Sequence, residues 1–172
     1  MNKYIIGLWL FVLSFNANAQ HNLPGDFLTK EFHAGRREAF RQKMPENSVA
    51  VIFSFPERVF SNDVTYNYHP NPDLYYLSGY KEPDGMLIIF KEFQKKGDRS
   101  YNELIFVRSR NPLQEQWTGR RLGVDGAKKD LGFEHTFTTD QFKTFEIDFN
   151  SFKSIQYDIF PDDAGSGTLQ SM

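Results

Sequence analysis

Residues 48–54 read Ser-Val-Ala-Val-Ile-Phe-Ser, a continuous apolar and partly β-branched run with Pro45 before it and Pro56 after it. Its length and its lack of alternation predict a strand buried on both faces, the centre of a sheet covered on two sides. Upstream, residues 32–44 switch to helical spacing. Phe32, Ala39, Phe40 and Met44 share one face, Arg36, Arg37, Glu38, Arg41 and Lys43 fall largely on the other, and Pro45 ends the segment. Downstream, residues 86–90 and 104–107 read as two more interior strands, joined by a hairpin-like stretch at Lys95-Lys96-Gly97-Asp98. Residues 123–131 read as a short helix stopped by Gly132, and residues 155–160 as a further strand. Between them, residues 139–152 are aromatic and ambiguous: Asp140 is a candidate N-cap, and Phe142, Phe145, Phe149 and Phe152 recur at helical spacing. Strands alternating with helices predict an α/β fold, a mixed or mostly parallel sheet layered with helices, without internal repeats.

The rest of the chain sets limits on function. Phe, Tyr and Trp number 18, 8 and 2, 16% of 172 residues, which argues for a filled core and an aromatic-lined surface. A domain of about 150 residues hides roughly 68–70% of its unfolded surface and folds without staples. That suits a chain with no cysteine. Lys and Arg total 20 against 22 Asp and Glu, so there is no basic field for nucleic acid or anionic lipid.

At the N-terminus, Lys3, an apolar run over residues 4–15 and the small-x-small pattern Ala17-Asn18-Ala19 predict a cleaved signal peptide, residues 1–19, and a secreted or periplasmic protein. A dozen apolar residues are too few to span a membrane. Residues 20–31 read as an arm, 32–161 as the domain, and 162–172 as a linker followed by the start of a segment that looks cut short.

The chain shows no complete active site. Four histidines, His21, His33, His69 and His135, are available for a metal, and none sits in a ligand motif. His69 and Asp73 have i, i+4 spacing, but Pro70 and Pro72 forbid the helix that would bring them together. Gly165-Ser166-Gly167 is not a nucleophile elbow, and the glycines at 119, 123, 126 and 132 are too scattered for a phosphate loop.

Two stretches stand out instead. Residues 56–83 are rich in Asn, Asp, Tyr and Pro and predict an ordered loop with a short strand rather than a regular helix. Residues 115–123 set Trp117 beside Arg120 and Arg121, a pattern suited to recognition because the ring offers area and each guanidinium a planar fork. Equally open at this point is Trp117 packed in the core with the arginines paired to carboxylates. With Asn62, Asp63, Tyr66, Tyr75 and Tyr76, these three residues form the candidate surface.

At these residues the sequence resembles the N-terminal domain of the aminopeptidase P family, relatives of prolidase and creatinase. The resemblance runs from about residue 32 to about residue 160. It rests on Arg36-Arg37 with Met44-Pro45, on Asn62-Asp63 with Tyr66 and Tyr68, on residues 73–80 (DLYYLSGY) with Glu82-Pro83, and on residues 115–123 (EQWTGRRLG) with Ala127 and Leu131-Gly132 trailing. Ser61 replaces the Arg that usually precedes the Asn-Asp pair, which leaves no arginine there for a salt bridge. His69-Pro70 and Ser78 are smaller departures.

The resemblance implies a ribonuclease H-like α/β domain that binds no cofactor itself and that shapes the substrate groove and oligomer contacts. Catalysis would belong to a C-terminal pita-bread domain outside this chain, where two Asp, one His and two Glu hold two divalent metals, usually manganese, and release the residue before proline. The partners implied are that domain, further copies of the chain and proline-containing peptides. Two other readings compete with this one: a standalone binding or oligomerisation module, and a hydrolase using Asp63 and His69.

Overall fold

The structure is a computed structural model that describes residues 28–62 and 64–158. The residues read as a signal peptide, most of those read as an arm, Asp63 and those read as a linker lie outside the described residues.

Helix α1, Lys30–Lys43, starts at Thr29, whose Oγ1 accepts the Phe32 amide at 3.3 Å. It stops at Met44, which is extended, as a residue before proline prefers. Strand β1, Ser48–Phe53, is buried throughout except at Phe53. It pairs antiparallel with β4, Met86–Lys96, and parallel with β7, Ser154–Tyr157. β4 turns at Gly97, where a φ of +60° suits glycine, into β5, Arg99–Val107. β5 in turn pairs parallel with β6, Thr136–Thr138, so the mixed sheet has the order β6-β5-β4-β1-β7.

Successive residues of a strand face opposite sides, and β1 divides two cores accordingly. Ala50 and Ile52 join Met44, Leu74, Leu77, Ile105 and Phe133 beneath the helices. Val49 and Val51 join Phe90, Tyr101, Phe106 and Phe145 on the other face. The sequence reading of residues 48–54 as a strand covered on both sides therefore holds, as does the mixed α/β layering.

Three local expectations are corrected. The face of α1 read as solvent-side carries Arg37 and Arg41, which are 2% and 8% exposed, in line with buried His33. They turn inward because Glu103 of β5 lies beneath them: Arg37 Nε and Nη2 donate to its two oxygens at 2.9 and 3.0 Å, and Arg41 Nη2 donates at 2.8 Å. Next, residues 56–83 contain a helix, α2, Pro72–Ser78. Pro72 opens it where no intrahelical N–H is needed, the Asn71 side chain accepts from the Asp73 and Leu74 amides, and Gly79 closes it in the left-handed conformation. Ahead of α2 lies a small antiparallel ribbon of β2, Val59–Ser61, and β3, Val64–Thr65.

The third correction concerns residues 139–152. Instead of one helix they form a 3₁₀ turn at Thr139–Gln141, a single helical turn α5 at Phe142–Phe145, and another 3₁₀ turn at Phe149–Ser151. Gln141 Oε1 accepts the Thr138 amide, so the turn is braced at Thr138 rather than capped by Asp140. The four phenylalanines still do what their spacing promised, since all pack on the sheet face opposite the helices.

Two helices remain. Pro112–Thr118 is α3 and Gly123–Leu131 is α4, which Gly132 ends in the left-handed conformation.

Candidate recognition surface

Helix α3 begins with Asn111, whose side chain accepts from the Leu113 and Gln114 amides, and Pro112 follows as first helical residue. None of its residues is buried as a whole, although the Glu115 side chain is only 8% exposed. Leu113 and Trp117, one turn apart on the same face, are 75% and 90% exposed. This resolves the open alternative for Trp117: the indole lies outside the core.

What fixes α3 is polar. Arg110 holds Glu115 through Nε at 3.1 Å and Nη2 at 2.8 Å, and Glu115 also accepts the Asn111 amide. The Arg110 hydrogen bond holds the Glu115 carboxyl below its ordinary pKa. Arg121, 8% exposed, donates through Nη2 to Gln114 Oε1 at 2.8 Å and through Nη1 to the Ser109 carbonyl at 3.1 Å. Arg121 is thus a clasp for α3, and only Arg120 of the pair projects into solvent.

Beside the clasp is a cleft of ≈ 550 Å³ lined by Glu82, Arg110, Arg120, Arg121 and Lys129. Glu82 Oε1 accepts the Leu122 amide at 2.6 Å at the start of α4. Its Oε2 and the Nε of Arg121 are buried without a hydrogen-bond partner, and burial raises the Glu82 pKa. The loop carrying Glu82 is braced by tyrosines. Tyr68 donates to the Glu82 carbonyl and Tyr80 to the Pro83 carbonyl, and burial pushes the Tyr68 hydroxyl up to about 12.

The other candidates sit on separate elements. Asn62 occupies the β2–β3 turn with φ +48°, and Asp63 lies outside the described residues. Tyr66, 55% exposed, packs edge-on against Phe60, whose ring is 64% exposed. Tyr75 and Tyr76 project from α2 toward α1, Tyr75 against His33 at 5.6 Å and Tyr76 against Phe32 at 5.7 Å. Among the described residues no ring contact joins Trp117 to these tyrosines. The structure therefore divides the candidate surface into an α3 patch, an exposed ribbon and an α1–α2 seam.

Sequence reasoning missed Leu113, Phe60 and the supporting roles of Glu82 and Arg110. Leu113 could have been found from its i, i+4 relation to Trp117. His69 is exposed ahead of α2 and Asp73 lies within the helix, so the two share no helical face. Among the described residues there is no group of three His, Asp or Glu side chains able to hold a metal ion.

Comparison with known proteins adds an independent line. The family described as aminopeptidase P, N-terminal domain, matches residues 33–151. The Xaa-Pro aminopeptidase of Haemophilus influenzae is 36% identical over 115 residues, which cover 67% of this chain and 25% of that protein. The Xaa-Pro aminopeptidase of Escherichia coli K12 is 37% identical over 99 residues, 58% of this chain and 22% of that protein. Among solved structures, E. coli aminopeptidase P with the inhibitor Pro-Leu superposes with a TM-score of 0.60 at 30% identity, over 69% of this chain and 26% of that one. Proline aminopeptidase P II from Yersinia pestis gives 0.59 at 32% identity with the same coverage. The chain thus spans about a quarter of the length of these relatives.

Proposed function

The chain belongs to the aminopeptidase P N-terminal domain family, and from that premise we propose that it is the non-catalytic N-terminal domain of a secreted, metal-dependent Xaa-Pro aminopeptidase. Hydrolysis belongs to a C-terminal domain outside this chain, with two divalent metals, manganese by family resemblance. This domain confines the peptide and contributes oligomer contacts. The observation that carries the reading is Trp117: a 90% exposed indole on a helix that contributes no residue to the core, held in place by Arg110 and Arg121. Large exposed rings on a preorganised element favour contact with a partner surface, because the ring orders at low entropic cost. Closing a two-metal site against water and fixing the peptide end would promote hydrolysis without the closing residues touching the scissile bond.

Two measurements test this. The chain alone, supplied with Mn²⁺, is expected to leave Xaa-Pro peptides intact. Activity that tracks the purified monomer through chromatography would overturn the reading. Joined ahead of a two-metal catalytic domain of the family, the chain is expected to support release of the residue before proline, with Trp117→Ala raising KM or disrupting assembly at unchanged thermal stability. Unchanged kinetics and assembly would remove Trp117 from the groove and the interface alike.

A further inference from the structure

Two polar tethers place α3, and both involve the step into α4. Arg121 supplies one, through Gln114 and the Ser109 carbonyl. Leu122 follows, its amide held by Glu82 Oε1, so the chain is fixed at this step. Gly123 comes next, buried at the first position of α4 with a φ of +65°.

What Gly123 faces is the second tether. A Cβ built on it would lie 2.5 Å from Cγ and 2.9 Å from Cδ of Arg110. Carbon atoms pack at roughly 3.5–4.0 Å, so the hydrocarbon stem of Arg110 occupies the place a side chain at 123 would take. The guanidinium at the end of that stem holds both oxygens of Glu115. A forked pair of this kind fixes orientation as well as distance. Because α3 contributes no residue to the core, the bearing of its exposed face depends on this pair and on Arg121.

We infer that Gly123 is a positioning residue for Trp117: by carrying no side chain it lets Arg110 lie against the start of α4 and hold Glu115, and with it α3, in the orientation that presents the indole. The inference rests on the reading of Trp117 as a recognition residue. Position 123 makes two demands, and they can be separated. Its positive φ suits glycine but is also open to asparagine, which enters the left-handed region more readily than most residues. The space taken by Arg110 is open to glycine alone.

Gly123→Asn therefore accepts the backbone conformation and supplies the Cβ that displaces Arg110. It is compared with Arg110→Ala and with the double variant, each in the full chain carrying Trp9→Phe, which leaves Trp117 as the one tryptophan. NMR reads the titration of the Glu115 carboxyl and the order of the Trp117 indole N–H. In the parent the Arg110 hydrogen bond and the Asn111 and Arg121 amides hold Glu115 below the ordinary carboxylate range, and Glu82 and Asp125 are the other acids that act on the pair. Gly123→Asn is expected to move the Glu115 titration upward, as Arg110→Ala does, and to loosen the indole. The double variant is expected to match Arg110→Ala, since without the guanidinium stem the added Cβ has nothing to displace. A Glu115 titration unmoved by Gly123→Asn overturns the assignment, and so do additive effects in the double variant, which would place the consequence in α4 itself. If Gly123→Asn alone does not fold, folding restored by Arg110→Ala supports the assignment and an equally unfolded double variant overturns it. Neither readout uses activity, so a failure of Trp117 in the kinetic test above would leave both results as they stand.

Discussion

Glu103 is the residue on which the helix side of the domain turns. Its two oxygens face Arg37 and Arg41, while Arg37 also reaches the Leu77 carbonyl and lies 4.0 Å from the centre of the Phe133 ring. Removing the carboxylate leaves a guanidinium that is 2% exposed without its counter-charge, the costly way to break a buried pair. Glu103→Ala is therefore expected to lower stability by about 3 kcal/mol, read from urea unfolding. The sequence could not show this arrangement. Arginine is an outward residue by default, and the partner that reverses the default lies 66 and 62 positions away. Glu82 makes a second residue-scale case, with pH as the lever. Burial raises its folded pKa, so the folded state holds the proton more tightly than the unfolded chain does. This contribution is fully present below the ordinary carboxylate range and is lost as pH rises through the raised folded value. Asp158 is raised by burial as well and acts in the same direction. Glu82→Gln keeps an acceptor for the Leu122 amide and removes the titration. The loss of melting temperature between mildly acidic and neutral pH should be smaller in the variant than in the parent, and an identical pH profile would show that Glu82 does not contribute.

Among the elements, α2 shows what a local pattern can and cannot disclose. Its signals were all present: Asn71 as cap, Pro72 as first residue and Gly79 as stop. Two prolines and a density of amides suggested loop instead, because proline breaks a helix everywhere except at its first turn. Asn71 does more than cap, since its amide nitrogen also ties Phe53 and Asp158 to the helix start. Asn71→Ala should accordingly cost about 2 kcal/mol, the upper end for a cap, whereas Asn71→Asp retains the cap and loses the donor. Urea unfolding of the two variants separates the roles. By contrast α4 and strands β1, β4 and β5 were legible, because continuous apolar runs and a terminal glycine have few other solutions. The 139–152 segment lies between these cases. Helical spacing brought Phe142, Phe145, Phe149 and Phe152 to one side, but three short turns joined by irregular chain satisfy the same spacing.

At the scale of the whole molecule, the residues that hold the fold are not those of the exposed α3 patch. The two cores hold the sheet from both faces, and the α3 patch adds nothing to either. Sequence could propose Trp117 as a recognition residue but could not exclude a core position, because a Trp within a short motif has no periodic partners to declare its face. Exposure settles its side, and with it an expectation that separates the functions. Leu113→Ala and Trp117→Ala should each leave the unfolding free energy within about 0.5 kcal/mol of the parent, as exposed positions do. If the α3 patch contributes oligomer contacts, the same changes should weaken self-association, since truncating an exposed aromatic anchor acts on the interface and not on the monomer. Sedimentation at micromolar concentration alongside urea unfolding makes the comparison. A fall in stability matching the loss of association would return Trp117 to a structural role. A parent that is monomeric throughout would remove self-association from this face and leave the catalytic domain or the peptide as what it meets.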